Sequence, residues 1–329
     1  MHRDQYRSAL TTAALACVVA IVIGACGAGG SSGIAKQSTS SAIPNPFTVT
    51  ARFTPASLGL KQPIDLAVGP DGNAYVTDVH PSVTVISPAG KVLRRWGKAG
   101  SRQGEFSFIP YVPGGPAIVA QLAVGPDGNV YVTDNGNHRV QVFSSIGRFI
   151  RQFGGPDFLP ESIAVDPQGN VFVADDSDKS VSKFSPSGQR VWSFGGQDEN
   201  DPDLFGFKHL GTITDAHDRL VIANDDIAKV IYIDEKGHKV DVFDPGIERN
   251  SEHSACDITV DGAGNIFVDT SCGGNPGGAT LVFDRNHRLT GRWDDTLLWM
   301  VPMFAPNGDA FALGVGGSVF RLAVTLQRS

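Results

Sequence analysis

Apolar and polar residues alternate over many short stretches of this chain. Examples are NVYVTD (Asn129–Asp134), RVQVFS (Arg139–Ser144) and KVIYID (Lys229–Asp234). A period of two places one set of side chains on each face of a strand, so each stretch predicts a half- or fully buried β-strand. Gly, Pro, Asn and Asp punctuate the stretches, as tight turns require. No segment sustains a helical period. The same order recurs along the chain. A short apolar strand comes first, as in IDLAV (Ile64–Val68) or CDITV (Cys256–Val260), and a Pro-Asp-Gly-Asn type turn follows. An alternating strand comes next, then a third, then a second turn at Gly90, Gly147, Gly188 or Gly237. The fourth strand ends in an aromatic: Trp96, Phe153, Phe194, Phe243 or Trp293.

Aligned on the first turn, six copies appear, at Gly72, Gly128, Gly169, Asp218, Gly264 and Gly308. GPDGNAYVTD (Gly69–Asp78) and GPDGNVYVTD (Gly125–Asp134) are nearly identical copies of that turn and its following strand. Six four-stranded units at steps of 56, 41, 49, 46 and 44 residues predict an all-β fold, a six-bladed β-propeller. In the first four copies the closing aromatic lies 24 or 25 positions after the turn residue, and that spacing from Gly308 runs past Ser329. The last copy therefore has three strands. FTVTARF (Phe47–Phe53) is a spare strand at the front, expected to pair with SVFRLAVT (Ser318–Thr325) and close the ring. Closure removes two exposed sheet edges.

The units also carry a family signature. QLAVGPDGNVYVTDNGNHRVQVFSSIGRFIRQFG (Gln121–Gly154) and the connector WGKAGSRQGEF (Trp96–Phe106) resemble NHL repeats. The resemblance covers roughly residues 47–325; it is strong in blades one to three, looser in four and weak in six. It implies a propeller and leaves chemistry open. NHL propellers include extracellular sensor domains of bacterial receptor kinases, RNA-binding modules and a zinc amidating lyase, and related six-bladed rings are metal-dependent lactonases. Function has to come from a site.

Composition narrows the choice. The 329-residue chain carries a formal charge of −7, which argues against the basic footprint of a nucleic-acid binder. The basic stretch KVLRRWGK (Lys91–Lys98) falls on an outer strand, where charge discourages sheet-to-sheet pairing. At the front, Arg3 and Arg7 precede an apolar run, Ala13–Ile23, too short to span a bilayer as a helix. It reads as a secretory signal. Its end, Ile23-Gly24-Ala25-Cys26, resembles a bacterial lipobox, which implies lipidation of Cys26 and removal of residues 1–25. A Gly/Ser-rich tether over 26–46 would then hold the propeller, 47–329, off the outer face of the cell membrane. Cys256 and Cys272 remain, and export makes a disulfide between them the natural reading, with two buried free thiols as the alternative.

The candidate site is the face where first strands begin and second strands end. Register places Asp65, Gln121, Ser162, Gly211, Asp257 and Val301 around that channel mouth. Three offer carboxylate or amide oxygens, and Gly211 and Val301 interrupt the ring. His209 and His253 precede the first strands of blades four and five. Calcium wants six to eight oxygens and a catalytic zinc three protein ligands, so neither set is complete. Asp78, Asp134, Asp175 and Asn224 recur at the end of the second strand and are expected to bond loop backbone. Acidic residues including Asp176 and Asp226 form an arc attractive to a basic partner or calcium, and Tyr111 sits in the distinctive insert IPYVPGGP (Ile109–Pro116). No Gly-x-Ser-x-Gly elbow or phosphate-binding Gly-rich loop falls within the repeat units. These features point to a monomeric, non-enzymatic binding module for a protein, peptide or envelope ligand, with no nucleic acid and no cofactor. The alternative is a metal-dependent hydrolase or lyase using calcium or zinc.

Overall fold

Each Pro-Asp-Gly-Asn turn closes a tight hairpin. The Gly69 N–H meets the Asn73 carbonyl at 3.0 Å and the Gly72 N–H meets the Gly69 carbonyl at 2.9 Å. Gly72 has φ +74° and Gly128 φ +77°, left-handed values that glycine adopts without the strain of a Cβ. The side chain of Asp71 caps the turn by accepting from Asn73 N (3.1 Å) and Asn73 Nδ2 (2.7 Å). This local chemistry is why the motif repeats. The computed structural model describes residues 43–108, 120–195, 209–211, 219–224, 227–247, 254–270, 278–294, 298, 300–305 and 307–326.

Six four-stranded antiparallel sheets follow. Blade 1 is Pro63–Val68, Ala74–Asp78, Ser82–Ile86 and Val92–Trp96. Blade 2 is Leu122–Val124, Val130–Asp134, Arg139–Phe143 and Phe149–Gly154. Blade 3 is Pro160–Val165, Val171–Asp175, Ser180–Phe184 and Arg190–Gly195. Blade 4 is His209–Gly211, Leu220–Asn224, Lys229–Ile233 and Lys239–Phe243. Blade 5 is Asp257–Val260, Ile266–Asp269, Thr280–Phe283 and Leu289–Trp293. Blade 6 takes Met303–Phe304, Ala310–Gly314 and Ser318–Val324 from the C-terminal end of the chain. Its fourth strand is Phe47–Phe53, paired from Phe47↔Val324 to Phe53↔Val319. The front strand thus closes the ring as its alternation predicts. A one-turn helix, Pro55–Leu58, lies just after it. No helical period announces so short an element. Thr54 Oγ1 caps its start by accepting from Ser57 N (3.2 Å), and Gly59 at φ +63° ends it.

The core is six separate seams, one between each pair of neighbouring blades. The aromatic or aliphatic residue in each second strand faces the next blade. Tyr75 packs with Leu122, Val130 and Val132, and Tyr131 packs with Ile163, Val171 and Val173. Phe172, Val221 and Phe267 do the same for the following three seams. Phe311 closes the circle against Leu66, Ala74 and Val76 of blade 1. The second-turn glycine has a packing reason too. A Cβ on Gly147 would meet the Trp96 ring of the preceding blade at 2.7 Å. In blade 5 His287 takes the equivalent place at φ +60° and stacks on Phe243, centroids 4.3 Å apart.

Every fourth strand also carries a bulge at the same height, with Leu93, Ile150, Val191, Val240, Thr290 and Thr50 left unpaired. A bulge twists an outer edge away from edge-to-edge pairing.

Candidate functional site

First strands of blades 1 to 5 touch in series around the axis, and blade 6 touches the first strand of blade 1. Their leading ends bring the sequence-predicted mouth residues together. Asp65 is buried, and its Oδ2 accepts from Leu122 N of blade 2 at 2.7 Å. Asp257 repeats the device one blade before the closure: its Oδ2 accepts from Val301 N of blade 6 at 3.2 Å and its Oδ1 from Ile258 N at 2.9 Å. Each carboxylate therefore ties its blade to the next.

The cost is electrostatic. Burial pushes the Asp65 carboxyl up to about 7, against the smaller opposing effect of its backbone hydrogen bonds. Burial also pushes Asp257 up to about 8, with help from the charges of Asp269, which pairs with it across the strands, and of Asp65. Asp257 keeps some solvent-accessible surface, so burial weighs less heavily there than at Asp65, and neighbouring charge correspondingly more.

The other mouth residues do not complete a donor set. Thr133 Oγ1 accepts from the Gln121 backbone N–H at 2.7 Å, and the Gln121 side chain is half-buried. Ser162 is buried in the first strand of blade 3. Gly211 pairs with Val221 in blade 4 and offers no side chain, and Val301 contributes an N–H, not an oxygen. His209 is in the first strand of blade 4, with its side chain outside the described residues. His253, Tyr111, Asp226, Cys26 and Cys272 also lie outside them. Cys256 is buried just ahead of blade 5. Among the described residues no three His, Cys, Asp or Glu side chains converge on one point, so these residues by themselves do not make up a calcium or zinc centre.

The recurring second-strand acids bond loop backbone as expected. Asp78 Oδ2 accepts from Lys61 N (2.8 Å) and Gln62 N (3.0 Å). Asp175 Oδ1 accepts from Leu159 N and Ser177 N, both at 3.0 Å, and from Ser177 Oγ at 2.6 Å. Asp176, on the expected acidic arc, is ion-paired with Lys179.

In blade 2 the same position builds something larger. Asp134 Oδ1 accepts from Ser107 N (2.7 Å), while its Oδ2 takes Arg139 Nε (2.7 Å), Gln141 Nε2 (2.9 Å) and Asn137 Nδ2 (2.9 Å). The buried Arg139 guanidinium goes on to Gln152 Oε1 and to the carbonyls of Arg102 and Glu105. The Asn-x-Arg-Val-Gln signature is therefore a clasp for the connector from blade 1. The resemblance to NHL repeats marked the stretch that holds this motif, but its partner carbonyls, more than thirty residues away in the chain, were invisible to sequence reading.

Comparison with known proteins agrees with this architecture. The NHL repeat family model matches residues 120–143, the stretch that holds the clasp. A streptogramin B lyase structure superposes with a TM-score of 0.56 at 12% identity, covering 85% of this chain and 98% of that one. Virginiamycin B lyase from Staphylococcus aureus gives 0.54 at 13%, covering 84% and 99%. A protein of unknown function from Bacteroides caccae gives 0.51 at 16%, covering 71% and 81%. At such identities the likeness speaks for the fold alone. The chain is a six-bladed β-propeller that carries an NHL repeat.

Proposed function

We propose that this chain is an exported lipoprotein, held at the outer face of a bacterial membrane through Cys26, whose propeller is a non-enzymatic binding module for a protein, peptide or envelope ligand. The observation that carries the reading is the use of the mouth carboxylates. Asp65 and Asp257 are committed to backbone N–H groups of the neighbouring blades, which makes them parts of the scaffold. A rigid ring with such a scaffold presents its loops as the variable surface. The Cys256–Cys272 disulfide belongs to the same proposal, since export supplies the oxidising setting. The test is capture from envelope extracts by the full chain, set against elemental analysis of the purified protein. A specific partner recovered by a metal-free protein supports the reading. A stoichiometric metal that is lost on Asp257→Ala overturns it.

A second reading has one observation in its favour. Carboxyls that titrate near 7 and 8 are placed to exchange protons at neutral pH, as a lyase or hydrolase needs. The same metal analysis, followed by turnover assays of Asp65→Asn and Asp257→Asn, separates it from the first.

A further inference from the structure

Blades 2 and 3 align without a gap at an offset of 41 residues, so each member of the blade 2 clasp has a counterpart. Asp134 corresponds to Asp175, and Asn137 to Asp178. Arg139, Gln141 and Gln152 all correspond to serines: Ser180, Ser182 and Ser193. Three long side chains become three short ones, one cation is removed and one carboxylate is added. The connector shrinks as well, because only residues 155–159 separate the strands of blades 2 and 3.

A cavity of about 520 Å³ opens at this junction. Asp175, Asp178 and Asp157 line it, with the rings of Phe153, Phe158 and Phe184. Asp175 is only 4% exposed, and its three hydrogen bonds all go to Oδ1. Its Oδ2, the counterpart of the oxygen that takes Arg139 in blade 2, accepts none of the hydrogen bonds found among the described residues. Ser180 is also 4% exposed, and its Oγ has no partner among the described residues. The nearby cations are otherwise engaged: Lys179 pairs with Asp176, and Arg190, at the edge of the cavity, lies over the Phe184 ring with its Cζ 5.6 Å from the centroid.

We propose that this cleft between blades 2 and 3 binds a guanidinium group supplied in trans, an arginine side chain of a peptide or protein partner, in the place that Arg139 fills from within blade 2. A guanidinium presents several planar donors, which suits a buried carboxylate whose cross-strand partner, Ser180, carries a buried hydroxyl, and phenyl walls favour a flat cation over a hydrated ammonium. The inference rests on the binding-module reading and names one chemical group that the module takes.

The experiment is calorimetric titration of the full chain with blocked arginine, N-acetyl-arginine methylamide. The citrulline and lysine analogues and free arginine serve as comparison probes. One saturable site is expected, at about millimolar affinity or better. Arginine should bind at least about tenfold more tightly than neutral citrulline, the size of one charge-assisted hydrogen bond. Blocked arginine binding more tightly than free arginine assigns the site to a peptide; the reverse assigns it to the free amino acid. Ser180→Arg should fill the cleft from within, as in blade 2, and abolish binding without lowering the melting temperature. Asp157→Asn with Asp178→Asn alters two exposed positions and should weaken binding severalfold even if Ser180→Arg fails to fold. The proposal is overturned if citrulline binds as well as arginine, if folded Ser180→Arg binds like the wild type, or if the double variant is unchanged. If the wild type shows no arginine site yet still captures a specific partner, the cleft assignment fails and the binding-module reading survives. If both tests are negative, both fail.

Discussion

Two buried acids with raised titration points make a definite demand on the pH dependence of stability. Asp65 titrates near 7 and Asp257 near 8 in the folded protein, against 3.8 for the free side chain. Between pH 4 and 8 the folded state therefore holds protons that the unfolded state has released. By linkage, stability falls as pH rises through that window; the contribution is full below about pH 4 and gone above about pH 8. Each pH unit by which a carboxyl's titration is moved corresponds to about 1.4 kcal/mol, so both intervals taken whole would sum to on the order of 10 kcal/mol. Water entry and relaxation reduce this, most at Asp257 with its residual exposure, and a net loss of about 3–5 kcal/mol from pH 5 to pH 9 is the expected size. For a propeller of this length that lowers the melting temperature by roughly 10 °C. The assay is thermal unfolding by circular dichroism at constant ionic strength across that range. Asp257→Asn keeps one acceptor for the neighbouring N–H groups and removes the charge. It should flatten the slope while costing stability at pH 5, where the wild-type acid is protonated. A wild-type protein equally stable at pH 5 and pH 9, or a variant with an unchanged slope, would refute the reasoning.

Further outcomes follow from three other parts of the ring. Phe47 is buried at the closing strand, 4.8 Å from the Trp293 ring and 5.9 Å from Phe267, so Phe47→Ala should cost about 3–5 kcal/mol in chemical denaturation. Deleting 43–53 should lower the melting temperature further still, and an unchanged melt would deny the closure. Arg139→Leu leaves Asp134 as a buried carboxylate without its cation and should destabilise by about 3–5 kcal/mol, measured by urea midpoint, whereas a loss under 1 kcal/mol would make the clasp incidental. The proposed Cys256–Cys272 bond predicts no free thiol in the unreduced mature chain once Cys26 is lipidated, and a loss of about 3 kcal/mol on reduction. Two titratable thiols after unfolding without reductant would refute the pairing.

What could be read in the sequence and what could not divides along a physical line. Strands, turns and the count of blades depend on local chemistry: alternation, a left-handed glycine, a terminal aromatic. These signals survive without any knowledge of neighbours. The closing strand was legible for a related reason, because a missing fourth strand at one end and a spare at the other leave a single sensible pairing. The interblade ties are different. Asp65 reaches Leu122 across 57 positions and Asp257 reaches Val301 across 44, and no spacing rule marks either. Asp175 shows the limit most sharply. Its recurrence with Asp78 and Asp134 correctly marks a loop-bonding acid, but recurrence accounts for only one of its two oxygens. What the other oxygen does depends on the residue five places on, arginine in blade 2 and serine in blade 3. In a repeat protein the shared positions build the scaffold, and a departure in one copy is where a scaffold position becomes free to bind something else.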